Sequence, residues 1–259
     1  MVRMQMTLRA ESLKKVGLTR VGSPYATVVV TGGPNEGKEL GRTEVLENDL
    51  NPDWATIIFV EAESSVYMPI KIAVKDKKDD RVMAEGNFEV TEIHESPGHQ
   101  HFQQNENGSK VWAHVTQSIV GGVIGQFDFH FRGLDIKNIE AGVLGLGRSD
   151  PFYEICKKSS DLTNGVTTWP VAYRSETIMD NLNPYWKEGS LSLEALCYGD
   201  LEWPLKISVW DWQSKGRHRV IGEVETTIQD IVDHVTQRGN ADREGALKLS
   251  KVGGTKIKG

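Results

Sequence analysis

Two stretches of this chain are copies of one another, and that repetition limits the folds open to it more than any other feature. Arg42–Trp54 reads RTEVLENDLNPDW, and Arg174–Trp186 reads RSETIMDNLNPYW, an offset of 132 residues (Arg174 against Arg42). Met68–Asp76, MPIKIAVKD, lies over Trp203–Asp211, WPLKISVWD, at an offset of 135 (Trp203 against Met68). Ser23-Pro24-Tyr25 matches Asp150-Pro151-Phe152 in the same order. Three matches in sequence at nearly one offset mean two homologous domains. A length of 259 residues fits two domains of roughly 100–150 residues each.

The repeated unit is built of strands. Val2, Met4, Met6 and Leu8 alternate with Arg3, Gln5, Thr7 and Arg9, and Phe127, Phe129 and Phe131 alternate with Asp128, His130 and Arg132, the period of a half-buried strand. Further strands read from Tyr25 to Val30, Thr56 to Val60, Ile70 to Val74, Pro151 to Cys156 and Leu205 to Val209, between clusters of Gly, Pro, Asn and Asp. Helical periodicity is confined to Thr227–Gln237. The fold class expected is all-β: two tandem antiparallel Greek-key β-sandwiches, over residues 1–119 and 126–259, joined by a glycine-rich linker at 120–125.

Composition excludes several functions. The formal charge of −6 argues against nucleic acid as the main partner, because phosphate binding needs an excess of Lys and Arg. No stretch approaches the ~20 apolar residues of a spanning helix, and the alternating start is not a signal-peptide core. Cys156 and Cys197 stand far apart with no metal-ligand spacing around them, which fits a reducing cytosol.

Enzyme motifs are missing, so no covalent chemistry is expected. His94-Glu-Ser-Pro-Gly-His99 has one residue too many for a zinc-protease helix, and Pro97-Gly98 breaks the helix such a site requires. Gly142, Gly145 and Gly147 precede a strand rather than a helix N-terminus, so they do not form a phosphate loop. Trp54 and Trp186, each after Asn-Pro, are expected to cap the two cores.

The order Ser-Asp-Pro-Phe, Asn-Leu-Asn-Pro-Tyr-Trp and Val-Trp-Asp, followed by Ile221-Gly222-Glu223, resembles the C2 domain. Arg174-Ser-Glu-Thr, Leu196-Cys-Tyr-Gly-Asp200 and Trp210-Asp-Trp212 with Ser214, Gly216 and His218 resemble the second C2 domain of copines, which carry tandem C2 domains followed by a von Willebrand A-like domain. The resemblance spans essentially the whole chain and is more specific in the second copy. It implies C2-type sandwiches that hold calcium between two loops at one end, through clustered aspartates that supply the anionic oxygens a hard cation needs.

Carried over residue by residue, Asp150 and Asp211 match two ligand positions in the second copy. The next is Gln213, the last is Arg219, and the earliest aligns with Asn138, with Glu140 as an alternative. If calcium binds at all, it binds the second domain, weakly, at these positions. A guanidinium near the ion would repel it by several kcal/mol at an effective dielectric of about 20. In the first copy Ser23 replaces an aspartate and Lys78 stands at another ligand position. Asp76, Asp79 and Asp80 there are expected to form a solvated acidic turn, leaving that domain calcium-independent.

A calcium-free membrane contact is also legible. Val143, Leu144 and Leu146 sit on a glycine-rich loop tip, and Lys215, Arg217 and Arg219 with Trp212 form a basic loop opposite. Together these would make a foot for anionic headgroups. Two readings stay open for the leucines: a membrane wedge, or folding back onto the protein. Lys157, Lys158, Arg174, Lys187 and Lys206 are a candidate basic face, against the alternative of scattered solvated side chains.

The expected function is therefore reversible docking on acidic phospholipid, peripheral on the cytosolic face of membranes and with weakened calcium dependence. The competing reading is a protein-interaction scaffold, and a third is a targeting region for a catalytic domain elsewhere. The closing strand of the second copy, near Gly253–Gly259, is short, and with the copine resemblance this leads to the expectation that the chain continues into a further domain.

Overall fold

The computed structural model describes residues 2–17, 20–62, 67–118, 121–140, 147–238 and 246–250. The chain divides into two compact units. One comprises Met1–Val120 with Ser159–Ala172 and Ser214–Arg217, and the other comprises Gly121–Lys158, Tyr173–Gln213 and His218–Gly259.

The first copy runs β1 (Val2–Glu11), β2 (Pro24–Val30), β3 (Glu39–Arg42), β4 (Ile58–Ala62), β5 (Pro69–Asp76), β6 (Val82–Glu89), α1 (Val90–Glu95), β7 (Gln100–Gln104) and β8 (Lys110–Gln117). Two antiparallel four-stranded sheets result, β4-β1-β8-β7 and β3-β2-β5-β6. Met6 and Leu8 of β1, Val28 of β2, Ile72 of β5 and Val115 of β8 share one core. The apolar positions of β1 face inward as the alternation predicts. Gln5 and Thr7 are nevertheless buried too, and the Gln5 amide donates to Ser118 Oγ at 3.1 Å. A strand between two neighbours is covered on both faces wherever a loop crosses it, and a buried amide is tolerated once it is hydrogen-bonded.

The second copy runs β9 (Gln126–Phe129), β10 (Pro151–Lys157), β11 (Ser159–Asp161), β12 (Val166–Thr168), β13 (Val171–Arg174), β14 (Gly189–Ser192), α2 (Leu193–Cys197), β15 (Leu205–Asp211), β16 (Arg219–Thr226) and α3 (Ile228–Arg238). β13-β10-β15-β16 form one antiparallel sheet, and β14 pairs with β9. Among the described residues β9 pairs with β14 alone, whereas β1, its counterpart, lies between β4 and β8. The segment expected to close this copy, Gly253–Gly259, lies outside the described residues. No described helix is long and apolar enough to cross a membrane.

The repeat persists in atomic detail. Pro24 pairs with Asp76 as Pro151 pairs with Asp211. The Trp54 indole donates to the Pro24 carbonyl at 3.3 Å, and the Trp186 indole donates to that of Pro151 at 3.2 Å. Both indoles are buried, as core caps must be. Glu44 accepts from Ala55 N–H at 2.6 Å, and Glu176 accepts from Lys187 N–H at 2.8 Å. α1 ends at Glu95, before Pro97, and His94 and His99 turn their Nδ1 atoms to the Val115 and His94 carbonyls at 3.1 and 2.7 Å.

Candidate functional site

The ends of β5 and β15 place one carboxylate each at the tip of a sheet. Asp211 is fully buried. Its Oδ1 accepts from Asp150 N–H at 2.9 Å, and its Oδ2 accepts from Gln213 Nε2 at 2.7 Å and Arg219 Nη2 at 2.8 Å. Gln213 also donates to Glu140 Oε1 at 2.8 Å, and Arg219 stands 3.9 Å from the same oxygen. Asp150 turns Oδ1 to Asp180 N–H at 2.6 Å and so holds a residue whose φ is 53°. Burial pushes the Asp150 carboxyl above the usual carboxylate range. The Asp180 N–H pulls it partly back, and the charges of Glu140, Asp211 and Asp180 add to the rise.

Asn138 ties its loop to itself. Nδ2 donates to the Gly147 carbonyl at 2.8 Å, and Oδ1 accepts from Glu140 N–H at 3.1 Å. Asparagine suits this place because it offers both a donor and an acceptor to nearby backbone.

The first unit repeats the plan with other side chains. Asp76 is fully buried, and its Oδ1 accepts from Ser23 N–H at 2.9 Å. The Arg20 guanidinium bonds its Oδ2. Ser23 Oγ accepts from Asn48 N–H at 3.3 Å, where φ is 52°, and donates to Glu47 Oε2 at 2.8 Å. Lys77, between Asp76 and Lys78, pairs with Glu47 at 2.8 Å, and Tyr25 donates to Asp80 Oδ1 at 2.6 Å. The acidic turn is thus partly engaged rather than wholly solvated.

The C2 domain family model matches residues 4–105 and 129–242. The chain belongs to the C2 domain family. Among solved structures it is similar to one titled BON1-C2B, 26% identical, over 45% of this chain and 73% of that one, with a TM-score of 0.36. It is similar also to the two calcium-bound C2 domains of Extended-Synaptotagmin 2, 10% identical, over 91% of this chain and 86% of that one, TM-score 0.34. A third is human GIVD cytosolic phospholipase A2, 15% identical, over 88% of this chain but 29% of that one, TM-score 0.37. The family assignment rests on the sequence match, and the contacts above stand on this chain's own geometry.

Calcium takes six to eight oxygen ligands, and the described residues of these C2 tips do not gather that set. Three N–H donors aim at Asp211, placing protons where a cation would sit. Gln213 faces Asp211 and Glu140 with its amide nitrogen. Among the described residues no group of three or more His, Cys, Asp or Glu side chains is gathered for a metal. The five positions carried over for calcium, Asn138, Glu140, Asp150, Asp211 and Gln213, are therefore brought together as a hydrogen-bonded cluster closed by Arg219.

The docking residues divide. Lys215 and Arg217 are exposed, while Arg219 is engaged with Asp211. Trp212 is half-buried and stacks on His218 at 6.1 Å instead of standing free. Val143, Leu144 and Leu146 lie outside the described residues. The candidate basic face does not form as one surface. Lys157 is 1% exposed, Arg174 pairs with Glu154 and lies over the Phe152 ring, and Lys206 pairs with Glu223 at 3.4 Å. Lys187 is exposed and Lys158 half-buried. Strand alternation fails to find this because β10 is buried along its whole length. Arg20 was not foreseen. Nothing in the sequence marked it beyond its place in the loop before β2.

Proposed function

We propose that the chain is a peripheral membrane-docking module whose tandem C2 copies bind acidic phospholipid, the second copy leading and calcium playing little part. What carries the reading is the exposed pair Lys215 and Arg217. Each basic residue near an anionic surface contributes about 1 kcal/mol. Within the C2 family the copine resemblance of the second copy points the same way. Cys156 and Cys197 are buried thiols that form no disulfide, in keeping with work on the cytosolic face. No covalent chemistry is assigned to the chain. A protein-interaction scaffold using the same loops is the competing reading.

Co-sedimentation with phosphatidylserine and phosphatidylcholine vesicles, in calcium and in chelator, separates them. Binding is expected on phosphatidylserine alone, unchanged by chelator. Lys215→Glu with Arg217→Glu should lower it by about tenfold or more, since two attractions become repulsions. Equal binding to both vesicles, or an unaffected double variant, would overturn the proposal.

A further inference from the structure

Two arginines that do not correspond in the repeat reach equivalent atoms, Asp76 Oδ2 and Asp211 Oδ2. In each unit the carboxylate ending the equivalent strand, Asp76 or Asp211, gives Oδ1 to the N–H that precedes Pro24 or Pro151. In each, Oδ2 takes a guanidinium. Arg219 opens β16 opposite Asp211, with Trp210 paired to Val220. The first unit pairs Lys75 with Val82, so the counterpart of Arg219 is Arg81. Arg81, however, turns to Asp79 at 3.4 Å and is largely exposed. Asp76 is served instead by Arg20, from the loop before β2. A contact merely kept through duplication would use the same arginine twice. Two unrelated arginines on equivalent oxygens point to a requirement for positive charge there, since a buried carboxylate without a partner is costly.

We infer that Arg20 and Arg219 each stand in for a calcium ion, so that both loop ends are assembled by an internal guanidinium and need no metal. Arg20 ties the loop before β2 to the end of β5. Arg219 ties β16 to the end of β15 and, through Glu140, to the loop before β10. The substitution deepens the calcium-independence of the proposed function, but it concerns the protein alone and holds whether or not the chain meets a membrane.

Thermal unfolding of the full chain, in chelator and in millimolar calcium, tests it through the set wild type, Arg219→Gln, Asp211→Asn and the double variant. The wild-type midpoint should ignore calcium. Arg219→Gln should melt several degrees lower in chelator, and calcium should return part of the loss, because the buried Asp211 carboxylate then lacks its guanidinium and a cation near it offsets that cost. In the Asp211→Asn background Arg219→Gln should cost little, and calcium should do nothing. The parallel set with Arg20→Gln and Asp76→Asn should show the same dependence of one loss on the other.

Should either single arginine variant fail to fold, its double variant is expected to fold, and failure there also would overturn the inference. So would a wild-type midpoint raised by calcium as much as that of Arg219→Gln, or an arginine loss that costs the same with aspartate as with asparagine. Vesicle binding is not read, so failure of the lipid proposal leaves this result intact.

Discussion

The Lys157 ammonium donates to the Ala195 carbonyl at 2.8 Å and sits 4.3 Å from the centre of the Tyr198 ring, with 1% of the residue exposed. Burial pushes its pKa down to about 7, against the opposing pull of Cys197 and Glu194. The group is low in the folded state and about 10.4 when unfolded. Between those values the unfolded chain holds more protons, so this lysine makes stability rise with pH from about 7 to about 10, and below about 7 its burial cost is complete. Lys157→Met should remove that rise. Urea unfolding of both proteins across this range checks it, and parallel slopes would count against a titrating lysine.

Asp76 works in the opposite sense. Burial alone would raise its carboxyl, but the Arg20 bond and charge and the Ser23 N–H hold it below the usual carboxylate range. Its contribution is therefore complete above the unfolded value of about 3.9 and is lost as pH falls through the lower folded value. Asp76→Asn should be less stable at neutral pH and should show a shallower acid limb, as followed by circular dichroism from neutral pH downward.

Thr43 and Ser175 are equivalent hydroxyls that relay a hydrogen bond. Thr43 Oγ1 accepts from Ala26 N–H at 2.8 Å and donates to the Glu44 carbonyl at 3.0 Å. Ser175 Oγ accepts from Tyr153 N–H at 2.9 Å and donates to the Glu176 carbonyl at 3.0 Å. Removing the hydroxyl strands a backbone donor that leaves no side-chain trace, at a cost of about 1–3 kcal/mol. Thr43→Ala and Ser175→Ala should each lose that much in denaturant titrations, and Thr43→Ser far less. Matched losses at the two positions would show the relays to be equivalent in energy as well as geometry.

The sequence by itself determined the architecture. Strand positions follow from period-two alternation, and the offset repeat already implied that Trp54 and Trp186, or Glu44 and Glu176, would make the same contacts. It also located the loop carboxylates, because like positions in a repeat carry like backbone. What it could not contain was which cation meets which carboxylate. Arg20 and Asp76 are 56 residues apart, and their meeting depends on the path of a loop that no periodicity describes. Lys157 reads as one more surface lysine on a strand until packing covers both faces of β10. Charge, burial and partner are properties of side chains brought together from distant segments. The sequence already set Arg219 at the loop end of the second copy, and the tertiary structure alone decided that Arg20 would close the first.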